Sequence, residues 1–161
     1  MFASGQIGHS IRNPTGAASE LCIVTGLNHV SIAVPDLDAA ARELKEKYGL
    51  QVGKPMVNAE QGVRLAYVEL GVARIELIAP SRPDSPIAKF LERNPKGGIH
   101  HFCLGVDDVA ETTRGFAQNG VRVLGGGKPQ HNVAGERIAF LHPGDFLGAL
   151  VEIEEHKSRG E

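Results

Sequence analysis

Residues 28–38 read NHVSIAVPDLD, and residues 100–110 read HHFCLGVDDVA. Each stretch opens on a polar pair ending in His, alternates apolar residues as a half-buried strand does, and closes on an acidic turn suited to a helix N-cap. Amphipathic runs follow in both, AAARELKEKYGLQV (39–52) and AETTRGFAQNGVRV (110–123). Each run is stopped by a glycine, Gly49 or Gly120, with a short strand expected directly behind it. The echo continues with VRLAYVEL (63–70) against ERIAFLHP (136–143), and RIELIAP (74–80) against LVEIEEH (150–156). Loop-length differences explain why the offset drifts from 71 at the two glycines to 76 in the last strand. The chain reads twice as β-α-β-β-β.

This duplication predicts an α+β fold of two tandem βαβββ modules, over residues 25–80 and 99–155. One helix cannot cover both faces of a four-stranded sheet, so the modules are expected to share a concave interior. Between them, residues 81–98 hold three prolines and a short helix-like SPIAKFLERN, the signature of a linker. Residues 1–24 and 156–161 read as tails; the first lacks a basic region followed by an apolar stretch and so is no secretory signal.

Composition narrows the function. The 161 residues carry 17 Lys and Arg against 19 Asp and Glu, a net charge of −2, which argues against nucleic acid or an anionic membrane as partner. No apolar run approaches the roughly 18 residues of a membrane span. Cys22 and Cys103 have neither metal nor redox spacing, which suits a reducing compartment.

The repeat makes polar residues inside strands interpretable. His29 and His101 share one position in the first strand of each module, and Glu76 and Glu152 share one in the last. A charged residue in an apolar strand is costly unless paired or bound to metal. Two His and two carboxylates related by a pseudo-twofold axis could close around one divalent ion, and N/O ligands without thiolate suit Co, Mn, Ni, Fe or Zn. Strand alternation sends His100 to the opposite face. His142, in FLHPGDF, fits either a pocket wall or a structural turn, whereas His9, His131 and His156 fall in tail or loop segments. The GGGK run at 125–128 lacks phosphate-loop spacing. No covalent nucleophile motif is present.

LNHVSIAVPDL, DSPIAKFLERNPKGGIHHFCLGVDD and IAFLHPGDFLGALVEIEE resemble the methylmalonyl-CoA epimerases, a branch of the vicinal oxygen chelate (glyoxalase/bleomycin resistance/dioxygenase) superfamily, over about residues 26–155. The resemblance implies metal-dependent epimerisation of (2R)- and (2S)-methylmalonyl-CoA by 1,1-proton transfer through an enolate. It also implies a divalent metal, commonly Co(2+), with Mn, Ni or Zn as alternatives, held by His29, Glu76, His101 and Glu152. An acyl-CoA substrate, a homodimer, and a cytoplasmic or mitochondrial-matrix setting are implied as well. Some bacterial members carry a Glu after GVR as second base; Leu65 stands there and cannot move a proton. The family's HPKD turn is HPGD, with Gly144 in place of the Lys. Glu76 and Glu152, from opposite modules, are therefore the expected catalytic bases, with Glu60 or a bound water as alternatives for the second. Competing readings are a glyoxalase I-type lactoylglutathione lyase on the same scaffold and a non-catalytic, drug-sequestering protein.

Overall fold

The computed structural model describes residues 24–156. The expected N-terminal tail, with His9 and Cys22, lies outside the described residues apart from Val24, as does most of the C-terminal one. The elements run β1 (Val24–Ala33), α1 (Leu37–Tyr48), β2 (Met56–Asn58), β3 (Val63–Glu69), β4 (Arg74–Pro80), α2 (Pro86–Arg93), β5 (Gly98–Val106), α3 (Val109–Gln118), β6 (Gln130–His131), β7 (Arg137–Leu141) and β8 (Val151–Glu155). Among the described residues no helix is long and apolar enough to cross a membrane.

Local chemistry explains the repeated helices. Asp36 and Asp108 cap α1 and α3, each carboxylate accepting from the backbone N–H three residues on, at 2.9 and 2.8 Å. Gly49 closes α1 at φ 69°, where its N–H and that of Leu50 return to Lys45 and Leu44. That conformation suits a residue without Cβ.

All eight strands join one sheet in the order β2-β3-β4-β1-β5-β8-β7-β6. β1 and β5 meet antiparallel at its centre, while each pairs in parallel with the last strand of its own repeat, β4 or β8. Alternation then sorts the faces. Leu77 and Ala79 of β4 pack with Leu37 beneath α1, and Val151 and Ile153 of β8 pack with Val109 beneath α3. The opposite parity, Glu76 and Ile78 in β4 and Glu152 and Glu154 in β8, faces the shared interior.

The helix-like part of segment 81–98 forms α2, capped by Ser85, and its Ile87 is buried against Ala33, Val63, Leu65 and Ile78 inside the concave face. One expectation needs correction. The strand expected directly behind α3 is displaced. Only Val123 makes a bridge there, to Leu141, before a glycine turn over Leu124–Gly127 that precedes β6. Gly125 and Gly126 both sit at φ 68°, which interrupts any strand.

Candidate metal centre

The four repeated residues converge. His29, His101, Glu76 and Glu152 are 1%, 3%, 5% and 5% exposed, a degree of burial rare for such groups without partners. Glu76 stands opposite Ser31 across β4 and β1, and Glu152 opposite Cys103 across β8 and β5. In each half, therefore, the carboxylate faces the residue two beyond the histidine. The register of two parallel strand pairs builds the cluster.

His101 Nε2 lies 2.7 Å from Glu152 Oε2 and 3.8 Å from Glu76 Oε2, while His29 Nε2 is 3.9 and 3.7 Å from the same two oxygens. Both Nε2 atoms are buried and neither makes a hydrogen bond; the 2.7 Å approach is close but not aligned for one. Ligand atoms of His29, His101 and Glu152 all fall within 4.8 Å of one another. Two buried nitrogens without partners, aimed at carboxylate oxygens, form a donor set that fits a divalent ion.

Electrostatics reinforces this. Burial, then the neighbouring His101 and Arg74, lowers His29 to about 3 and keeps its ring neutral. Burial opposes the His101 cation, but the adjacent Glu152 carboxylate outweighs it and raises that group. Glu76 and Glu152 are both pushed up by burial, which makes them stronger bases than exposed carboxylates.

The environments of the two pairs differ. Glu76 accepts from Ser31 Oγ at 2.6 Å and from Tyr67 Oη at 3.2 Å. At the matching positions beside Glu152 stand Cys103 and Phe140, so no hydroxyl reaches that carboxylate from these positions. His29 Nδ1 contacts Asn28 Oδ1 at 2.9 Å, whereas His101 Nδ1 contacts His100 Nδ1 at 2.9 Å.

His100 overturns its alternation. Ser31 pairs with His101 but Ile32 with Ile99, leaving His100 as the extra residue of a bulge. Its ring therefore turns to the same cavity as His101, against Phe90 of α2. His142 takes the turn role, accepting from Gly144 N–H at 3.0 Å beside the Arg122–Asp145 pair. His131 and His156 are exposed. Glu60 is exposed on the cavity rim, and Leu65 is a buried part of the wall.

The cavity holds about 610 Å³ and runs from the cluster past Leu65, Ile78 and Ile87 to a rim bearing Glu60, Arg82 and Asp84. A second hollow of about 660 Å³ adjoins it at His100 and His101 and is edged by Lys89 and Arg93 of α2. Sequence reasoning missed Asn28, Ser31, Tyr67 and Glu154. Ser31 and Glu154 share strand parity with His29 and Glu152, which was the available signal for those two; Asn28 and Tyr67 had none.

A family model described as the Glyoxalase/Bleomycin resistance protein/Dioxygenase superfamily matches residues 28–140. The ethylmalonyl-CoA/methylmalonyl-CoA epimerase of Cereibacter sphaeroides is 46% identical over 129 residues, covering 80% of this chain and 96% of its own. The crystal structure of methylmalonyl-CoA epimerase from Mycobacterium tuberculosis superposes with a TM-score of 0.78 at 34% identity, covering 89% of this chain and 97% of that one. A variant of the Streptomyces coelicolor methylmalonyl-CoA epimerase, in complex with 2-nitronate-propionyl-CoA, gives 0.76 at 38% identity, covering 82% and 94%.

Proposed function

Because the chain belongs to the glyoxalase/bleomycin resistance/dioxygenase superfamily, we propose that it interconverts (2R)- and (2S)-methylmalonyl-CoA by moving the C2 proton from one face to the other. The observation that carries this reading is the convergence of two buried carboxylates, one from each half of the chain, on two imidazole nitrogens without partners. His29, His101, Glu152 and Glu76 would hold one divalent ion, cobalt first, with Mn, Ni or Zn as alternatives. When bound, such an ion supplies a Lewis acid that neutralises negative charge on a substrate oxygen.

The protein's own part is proton transfer. Epimerisation needs a base on each face of C2, and Glu152 and Glu76 approach from opposite modules. Burial keeps both carboxylates basic, and the apolar wall of Leu65, Ile78 and Phe140 excludes competing water. With Leu at position 65, neither proton duty falls to that wall.

Charge also orients the substrate. The main rim carries Glu60 and Asp84, with Arg82 held by Asp84 at 2.9 Å. Lys89 and Arg93, at the second hollow, make no ion pair among the described residues. An acyl-CoA would lay its phosphates there rather than on the acidic rim. Reversing both charges (K89E/R93E) should raise KM about tenfold or more, leave kcat within about twofold, and invert the salt dependence of KM, since salt now screens a repulsion. The cytoplasm or mitochondrial matrix and a homodimer complete the reading, the latter checked by light scattering.

The test is epimerisation of methylmalonyl-CoA in deuterium oxide by metal-stripped protein, with divalent ions added back singly. Metal-dependent deuterium at C2 of both epimers is expected. Turnover of a glutathione hemithioacetal instead would favour the lyase, and tight ligand binding without exchange the sequestering protein.

A further inference from the structure

Glu154 has no place among the four candidate ligands, yet it is 1% exposed and carries a dense set of contacts. It lies two residues beyond Glu152 on β8, while two of its partners come from the first half of the chain. Its Oε1 accepts from Asn28 Nδ2 at 2.8 Å and from Arg74 Nη2 at 3.4 Å; its Oε2 accepts from Asn132 Nδ2 at 3.0 Å. These bonds orient the Asn28 amide. With its NH2 on the carboxylate, its oxygen turns to Arg74, at 2.9 and 3.3 Å, and to His29 Nδ1 at 2.9 Å.

An amide oxygen can only accept. The proton of the neutral His29 ring must therefore sit on Nδ1, which leaves the Nε2 lone pair directed at Glu76 and Glu152. Arg74 extends the support, its guanidinium lying 4.2 Å from the centroid of the Tyr67 ring whose hydroxyl donates to Glu76. The second half contains no counterpart, since His101 leans on His100.

We propose that Glu154 is a positioning residue for the metal centre, holding Asn28 so that His29 keeps the tautomer and ring orientation a ligand needs. A residue of the second repeat thereby prepares a ligand of the first. The inference rests on the metal reading above.

The test is Co(2+) titration of stripped protein, read by the ligand-field spectrum, in a double-mutant cycle of N28D, E154Q and N28D/E154Q. N28D sets two carboxylates where an amide now meets one, and affinity should fall about 10–100-fold. E154Q keeps the volume but offers one acceptor oxygen to three donors, Asn28, Arg74 and Asn132, and removes the charge that holds Arg74, so affinity should fall about tenfold. In the double variant the Gln amide can donate to Asp at position 28, whose oxygens accept from His29 and Arg74. Affinity should return to within about threefold of the parent. Equal affinity in N28D and the double variant, or parental affinity in either single one, would overturn the role of Glu154. Should the parent chain bind no divalent ion at all, the metal reading fails first and this inference with it; parental binding with unchanged variants sinks this inference alone.

Discussion

The two halves of the sheet present the same pair of side chains in different surroundings. His29 and Glu76 are backed by Asn28, Ser31, Tyr67 and Arg74, whereas the equivalent places around His101 and Glu152 hold His100, Cys103 and Phe140. The rings of Tyr67 and Phe140 meet their histidines edge-on at 5.9 and 5.6 Å, so shape is conserved while hydrogen bonding is not. What differs is the supply of donors. Glu76 accepts two hydroxyls that pin it and temper its basicity; Glu152 receives neither. Duplication placed the four candidate ligands at matched positions, and divergence around them gave the two carboxylates different partners. Glu152, met instead by His101 Nε2 at 2.7 Å, is the proposed base that neither of these hydroxyls holds.

The largest expected effect comes from removing that base. E152Q keeps an amide oxygen of similar reach, so metal content should survive while epimerisation falls about 10²–10⁴-fold, as loss of a general base does. Metal analysis beside steady-state rates checks it. A rate within tenfold of the parent would erase the distinction between the halves.

Making the halves alike should have a smaller effect. C103S/F140Y gives Glu152 the two hydroxyls that Glu76 has, and Phe140 borders the cavity, where an added oxygen has room. Weakening the base by one pKa unit corresponds to about 1.4 kcal/mol. Epimerisation should drop about tenfold with metal stoichiometry unchanged. An unaltered rate would show that the missing donors are irrelevant.

The smallest effect lies in a feature only the second half has. Arg122 binds Asp145 through its backbone N–H, Nε and Nη2, each at 2.9 Å, and lowers that carboxyl from 3.8 to about 2. A depressed carboxylate contributes stability that is fully present above its unfolded value and lost as pH falls through the folded one. The melting-temperature gap between parent and D145N should therefore be constant above about pH 4 and close toward pH 2. A gap that persists at pH 2 would assign the turn's stability to packing instead.

The repeat was legible because its period rests on strand alternation and helix stops, both local. For the same reason the four candidate ligands could be read as matched pairs before any geometry was known. His100 was misread because a bulge is set by pairing between β1 and β5, which alternation along one strand does not contain. The burial of Ile87 was not legible in the linker helix because its partners, Ala33 and Ile78, lie elsewhere in the chain. Glu154 escaped notice because its role depends on Asn28 and Arg74, at sequence separations of 126 and 80. Local pattern supplied the candidate ligands; the contacts around them are long-range.

Deuterium wash-in from each epimer separately, with E76Q and E152Q both loaded with metal, tests the account most directly. Each variant should still exchange the C2 proton of one epimer, the two should prefer opposite epimers, and interconversion should fall further in E152Q than in E76Q. If E76Q epimerises at the parental rate with its metal bound, Glu76 is a ligand alone. The second base then lies elsewhere, at Glu60 or a bound water, and the division of labour between the two halves is wrong.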